Sequence, residues 1–242
     1  MKKVLFKVSG FVLVAISGII LYAYSNTWGK TDLQIRIHIN DKLVKESNFG
    51  ESPTFAIWLE DPETGNTRTI YVTRRAAEGD WEGKAEVPVA LPKWFNVQKL
   101  ETKTESKPGN VDAYSGATPK PGYFTAKTNL VPGSKWICWI EVNLAGDFND
   151  YYQGNKTESN DADKYLSGQP ALLYRAEITA LIGSIAKPSV LGMTMLDSDD
   201  TKIVRPLEGI TTATGIFDEI GITIVKPKPK IFRKGFTPLY LH

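Results

Sequence analysis

The stretch DLQIRIHIND, residues 32–41, decides the fold because its apolar and polar residues alternate strictly. Leu33, Ile35, Ile37 and Ile39 share one face of an extended chain, since successive side chains of a strand point to opposite sides. The opposite face carries Gln34, Arg36, His38 and Asn40. The pattern predicts a β-strand with one buried face and one face in water.

Further segments rich in β-branched and aromatic residues follow along the chain, and they also predict strands. They are residues 54–61, 67–74, 134–144, 170–182 and 219–227. No sustained apolar stripe at helical spacing is visible outside the N-terminal run. Strands with one wet face bury their apolar sides by stacking two sheets. We therefore predict an all-β protein, an antiparallel and Ig-like β-sandwich with long loops and an N-terminal hydrophobic helix.

The N-terminus is typical of an export signal, because Lys2, Lys3 and Lys7 precede an apolar run from Phe11 to Tyr24 that has no acidic residue. Counted back to Val4, the run is long enough to cross a membrane. A signal-peptidase cut after Ser25 is the alternative, and the pattern slightly favours the uncleaved anchor. Lysines on the N-terminal side indicate that the rest of the chain lies in the periplasm.

Three regions are predicted: a signal peptide or membrane anchor at 1–27, a β-sandwich domain at 28–225, and a basic Pro/Lys tail at 226–242. Residues 1–27 hold three of the 29 basic residues and none of the acidic ones, so 26 basic residues remain against 27 acidic ones. This balance argues against a nucleic-acid partner. The single cysteine, Cys138, excludes an internal disulfide and is interpreted as a small buried apolar residue.

Residues 99–120 and 146–169 are rich in Gly, Asn, Asp, Ser and Thr and predict long surface loops. The second loop carries side-chain oxygens that could bind calcium, although the spacing departs from the EF-hand pattern and a solvated loop is the simpler interpretation. These residues are Asp147, Asn149, Asp150, Asn160, Asp161 and Asp163. Histidine-based catalysis has one candidate base, His38, which is predicted to be solvated, so no enzyme is predicted.

One short motif stands out in the first loop, DAYSGAT at residues 112–118. It resembles the pattern D-[AG]-x-[ST]-G-A-[ST], at which bacterial flavin transferases attach FMN through its phosphate to the final Ser or Thr. The resemblance implies that Thr118 is the acceptor of covalent FMN. The other matching positions are Asp112, Ala113, Ser115, Gly116 and Ala117.

Turn chemistry offers a second interpretation of the same residues. Asp112 can form an Asx turn, and Gly116 can adopt a positive φ. Pro119 and Pro121 then stiffen the approach to a strand that begins near Tyr123. Flavin attachment and a plain turn both stay open at this point.

Five segments follow one another between residue 32 and about residue 182: FAIWLEDPETGNTRTIYVTR (55–74), ALPKW (90–94), DAYSGATPKPG (112–122), WICWIEVNLAGDFNDYY (136–152) and SGQPALLYRAEI (167–178). In this order they resemble a family of predicted periplasmic proteins that carries a domain-of-unknown-function label. Its genes tend to lie near those of flavin transferases and PepSY-type membrane reductases. The resemblance implies an exported accessory of flavin-linked electron transfer, with these two proteins as partners. The alternative is a non-enzymatic periplasmic binding module that uses its two long loops.

Five tryptophans of the exported part are predicted to serve mainly in the core. They are Trp58, Trp81, Trp94, Trp136 and Trp139. Trp139 shares a strand face with Glu141 and Asn143, so it is the first candidate among them for a surface contact.

Overall fold

The computed structural model describes residues 2–25, 27–47, 50–78, 90–104, 114–144, 146–153, 168–197 and 200–229. Within these ranges the protein is mostly β, with two sheets that stack as a sandwich. All strand pairs are antiparallel except one at the edge of the larger sheet. The coarse prediction of a β-sandwich is therefore confirmed.

Among the described residues the smaller sheet has four strands, and the strand at its first edge is the one that follows the motif at 112–118. The order is β5 (Gly122–Leu130), β1 (Thr31–Ile39), β11 (Phe217–Val225) and β8 (Ile185–Ala186).

The larger sheet has seven strands within the ranges that the structure describes. The order is β10 (Asp200–Val204), β9 (Ser189–Asp197), β7 (Ala171–Thr179), β6 (Lys135–Asn143), β2 (Thr54–Glu60), β3 (Thr67–Thr73) and β4 (Tyr114–Gly116).

In the described residues, one helix precedes the sheets, and three more helices lie between strands. They are α1 (Lys2–Ser25), α2 (Asp41–Glu46), α3 (Arg74–Glu78) and α4 (Pro92–Thr104), with a 3₁₀ turn at Thr212–Gly215. In the described part of the chain, no helix combines the length and the apolar character that a membrane span requires. The membrane anchor therefore stays a prediction.

The core between the sheets is built from the alternation that the sequence displays. Leu33, Ile35, Ile37 and Ile39 are fully buried, as predicted from residues 32–41. Phe55 of β2 joins the two sheets, because its ring centroid lies 5.4 Å from that of Phe124 on β5 and 5.3 Å from that of Phe217 on β11.

The outer face of the larger sheet is also buried, beneath α3 and α4. Trp58 of β2 stacks on Trp139 of β6 with ring centroids 6.2 Å apart, and Trp94 of α4 belongs to the same buried cluster. Strands β2 and β6 are thus covered on both faces over most of their length. Trp139, the first candidate for a surface contact, is instead buried, because this helical layer excludes water from its face.

Helix α4 also corrects the prediction of a loop from residue 99, since the helix continues to Thr104. Leu91, Trp94 and Val97 recur every three residues and are buried, but this stripe is too short to stand out in the sequence. Pro92 begins the helix, a position where its fixed φ and missing N–H cost nothing.

All six predicted strands, from 32–41 to 219–227, are present as β1, β2, β3, β6, β7 and β11. The parallel pair is β3 with β4, in which Tyr71 lies opposite Tyr114. Two parallel strands require a long crossover connection, and helices α3 and α4 lie on this one. The boundaries at residues 27 and 225 and the Ig-like topology stay predictions, and residues 230–242 of the tail lie outside the described residues.

Candidate functional site

The candidate acceptor motif lies at the edge of the larger sheet. Tyr114–Gly116 form β4, the last strand in the order of that sheet, and Ser115 pairs with Val72 of β3. Asp112 and Ala113 lie outside the described residues. The middle of the motif is therefore an edge strand rather than part of a long loop, which corrects the prediction for residues 99–120.

Gly116 is required by close packing and not by its backbone conformation. It does not adopt a positive φ, so the expectation of a left-handed turn at this position is wrong. A Cβ atom built on Gly116 would lie 2.8 Å from Cε2 of Tyr71, a distance that real Cβ atoms do not tolerate. The hydroxyl of Tyr71 in turn donates a hydrogen bond to the carbonyl oxygen of Ala117 at 3.0 Å.

The predicted acceptor, Thr118, is half-buried and follows directly after this contact. Its neighbour Ala117 is exposed, whereas Pro119 is buried and fixes the chain to the domain. Strand β5 begins at Gly122, so the prediction of a strand that begins near Tyr123 is confirmed. Gly122 itself has a positive φ of 110°. The structure thus brings Gly116, Ala117 and Thr118 together at one accessible edge of the sheet.

A second group of polar residues lies around Asp147, in the loop whose side-chain oxygens could bind calcium. Asp147 is buried, and its Oδ1 accepts a hydrogen bond from the backbone N–H of Gln169 at 2.9 Å. Its Oδ2 accepts one from the hydroxyl of Thr212 at 3.2 Å. Burial raises the pKa of Asp147 to about 8, against the opposing effect of these hydrogen bonds.

Asn149 is likewise engaged within the protein. Its Nδ2 donates to the carbonyl oxygen of Gly209 at 2.7 Å, and its Oδ1 accepts from the backbone N–H of Tyr152 at 2.7 Å. Asp147 and Asn149 therefore tie their segment to residues 209–212. In the ranges that the structure describes, no cluster of three His, Cys, Asp or Glu side chains could hold a metal ion. Asn160, Asp161 and Asp163 lie outside those ranges.

Glu141 is a buried carboxylate that the sequence did not single out as important. It is fully buried on β6 beneath the N-terminus of α4. Its Oε1 accepts from the backbone N–H of Lys93 at 3.1 Å and from the hydroxyl of Thr194 at 2.6 Å, and its Oε2 accepts from the backbone N–H of Trp94 at 2.7 Å. Burial raises the pKa of Glu141 to about 7. The signal in the sequence was an acidic residue inside an otherwise apolar strand.

His38 is paired rather than simply solvated. Its Nδ1 lies 2.6 Å from Oδ1 of Asp218, and its ring lies 4.5 Å from that of Tyr123. The hydroxyl of Tyr123 donates to Oε2 of Glu219 at 2.9 Å, and this contact is the main cause that raises the pKa of Tyr123. These residues form a polar cluster on the outer face of the smaller sheet.

Cys138 is fully buried in the core between the sheets, as the sequence predicted. Burial raises the pKa of its thiol far above the ordinary value, so the thiolate that reacts with electrophiles is not formed near neutral pH.

The fold and these groups define a two-sheet β-sandwich with a helical layer on one outer face and an exposed-edge motif at residues 116–118. No protein-family model, curated protein or solved structure matches the chain.

Proposed function

We propose that the protein is an exported, membrane-anchored accessory of flavin-linked electron transfer in the periplasm, built on an Ig-like scaffold. Its proposed cofactor is FMN, bound covalently to Thr118. The observation that carries the proposal is that residues 112–118 match the acceptor pattern in order, and that Thr118 follows an edge strand of the sheet.

The surroundings of Thr118 fit a modification site. A transferase must bring the acceptor hydroxyl up to a phosphoanhydride, so the hydroxyl has to stand where an enzyme can approach. Thr118 is half-buried, its neighbour Ala117 is exposed, and β4 has no strand on its outer side among the described residues. The hydrogen bond from the Tyr71 hydroxyl to the carbonyl oxygen of Ala117 supports a fixed position for the hydroxyl of the next residue, Thr118.

The attachment reaction balances with FAD as the donor. Oγ1 of Thr118 attacks the FMN phosphorus, the Oγ1–P bond forms, and the pyrophosphate P–O bond breaks with release of AMP. The hydroxyl proton leaves to a base of the transferase or to solvent. Bound FMN supplies one-electron and two-electron redox chemistry, and a PepSY-type membrane reductase is the proposed electron partner.

Intact-mass spectrometry of the full chain from cells that co-express a periplasmic flavin transferase tests this proposal. We expect an added mass equal to FMN less one water, located by fragmentation on the peptide that contains residues 112–118. Thr118→Val should abolish the addition, and Thr118→Ser should retain it because the hydroxyl is kept.

Thr128→Val is the matched control, because Thr128 is also half-buried and lies on β5, outside the motif. This variant should be modified like the wild type. An unmodified wild-type chain in the presence of an active transferase, or an FMN addition that survives Thr118→Val, would refute the proposal.

A further inference from the structure

One end of the sandwich carries apolar side chains that the protein leaves in water. They belong to the turn after β5, to the turn after β7 and to strand β8, and they are Val131 (69% exposed), Leu181 (55%), Ile182 (60%) and Ile185 (79%). Turns normally carry polar residues, so large apolar groups at their tips require an explanation.

Backbone hydrogen bonds hold these turns together as one surface. The N–H of Gly133 donates to the carbonyl oxygen of Ala180 at 3.0 Å, and the N–H of Ala180 donates to the carbonyl oxygen of Ser134 at 2.8 Å. Gly183 donates to the carbonyl oxygen of Ile224 at 2.8 Å, which joins the second turn to the end of β11. We call Val131, Leu181, Ile182 and Ile185 the apolar tip.

The chain passes from this same end into α1. Thr31, the first residue of β1, pairs with Leu130 just before the first turn of the apolar tip. Trp28 lies three positions earlier and is 84% exposed. The described side chains of α1 are also mostly apolar and exposed, and they include Val14, Ile16, Ile19, Ile20 and Leu21. The apolar tip is therefore adjacent in the chain to an apolar helix and an exposed tryptophan.

The charges near this end favour a negatively charged surface. Lys30, Lys135, Lys226 and Lys228 are exposed, and Val225 at the end of β11 pairs with Asp32 at the start of β1, so the basic tail leaves from the same end. Asp32 itself is buried and accepts a hydrogen bond from Asn129. Negative charge at this end comes from the turn after β2, which carries Asp61 and Glu63. That turn lies on the side of β6 opposite to β7, away from β8.

We propose that the apolar tip docks on the surface of a phospholipid bilayer that contains anionic lipid. Aliphatic side chains on turn tips, a tryptophan of interfacial type and flanking lysines are the groups that partition into the headgroup region. The helix α1 continues from the same end, so one membrane surface can meet both. The inference does not depend on flavin attachment.

Site-specific quenching by nitroxide-labelled lipids tests the docking. The full chain is reconstituted into vesicles of phosphatidylcholine and phosphatidylglycerol, and a fluorophore is attached through Val131→Cys or, as the matched control, through Lys42→Cys. Lys42 lies in α2, which follows the far end of β1, and its side chain is 80% exposed. Cys138 is buried, so only the introduced thiol reacts. We expect quenching at position 131 and none at position 42.

A triple variant separates docking by the apolar tip from tethering by α1 alone. Leu181→Ser, Ile182→Ser and Ile185→Ser together should reduce quenching at position 131 to the level at position 42, and vesicles without phosphatidylglycerol should lower it. Equal quenching at positions 131 and 42 in the otherwise unchanged chain would overturn the proposal without any need for the triple variant. Undiminished quenching at position 131 in the triple variant would overturn the proposal too. So would quenching at position 131 that occurs only when a partner protein is added to the vesicles.

Discussion

The backbone N–H of Trp94 donates a 2.7 Å hydrogen bond to the carboxylate of Glu141, so the first turn of α4 is fixed to the C-terminal half of β6. A carboxylate at a helix N-terminus satisfies backbone donors that have no partner within the helix. The same contact holds α4 over Trp58 and Trp139. Glu141 therefore links the sheet to the helical layer that makes its outer face dry.

Glu141 should make the stability of the protein depend on pH. Its pKa is raised from 4.5 to about 7, so the folded state binds this proton more tightly than the unfolded chain does. The contribution is complete below pH 4.5 and is lost as the pH rises through 7, at a cost on the order of 3 kcal/mol. Urea unfolding from pH 4.5 to 8 should show this loss.

Glu141→Gln should remove the fall in the unfolding free energy that Glu141 causes between pH 4.5 and 7, and it should leave the part that Asp147 causes. At pH 4.5 it should lower the free energy by about 1–2 kcal/mol, because an amide offers one oxygen and leaves one backbone N–H without an acceptor. Above pH 7 the order should reverse, because there the wild type has lost the contribution of Glu141. Glu177→Gln is the control, since the side chain of Glu177 is 74% exposed on β7. A wild-type protein whose stability does not change between pH 4.5 and 7 would contradict the assignment.

Asp147 should extend the pH dependence to higher values. Its pKa is raised from 3.8 to about 8, so its stabilising proton is lost last. We expect Asp147→Asn to remove the slope that Glu141→Gln leaves, which runs from pH 3.8 to about 8. The amide can keep both contacts by accepting from the Gln169 N–H and donating to the Thr212 hydroxyl, so the loss at low pH should be small. A variant as pH-dependent as the wild type would argue against this role.

Gly116→Ala should destabilise the motif edge by about 1–3 kcal/mol, because its Cβ would meet the ring of Tyr71 at 2.8 Å. Gly221→Ala is the matched control, since Gly221 also lies in a strand and a Cβ there would meet no atom within 4 Å. Thermal unfolding of both variants checks the comparison. Equal effects would mean that the contact with Tyr71 does not decide the preference for glycine.

Tyr174→Phe should leave the stability unchanged or raise it by about 1 kcal/mol. The Tyr174 hydroxyl is buried and meets no hydrogen-bond partner among the described residues, so its removal relieves the cost of desolvation. Tyr152→Phe should instead destabilise by about 1 kcal/mol, because the Tyr152 hydroxyl donates to the carbonyl oxygen of Glu208 at 2.9 Å. Chemical denaturation of the two variants provides the measurement, and effects of equal sign would be inconsistent with this difference.

Trp94→Ala should cost about 3–5 kcal/mol, since Trp94 is 1% exposed and anchors α4 on the outer face of the sheet. Trp28→Ala should leave the free energy of unfolding within about 0.5 kcal/mol of the wild type, because Trp28 is exposed. Urea unfolding monitored by far-UV circular dichroism compares the two. Similar losses would show that the outer helical layer does not contribute to folding stability.

The sequence by itself determined the strands and the two stacked sheets, because period-two alternation is a local property that can be read in residues 32–41. It also predicted that Cys138 is buried. Only the tertiary structure decided which faces of the larger sheet are dry. Trp139 and Glu141 occupy positions that would face water in a plain sandwich, and they are buried because α4 arrives from another part of the chain. The edge position of Gly116 and the exposure of Ala117 likewise depend on the pairing of β4 with β3, a contact between distant residues that no local pattern specifies.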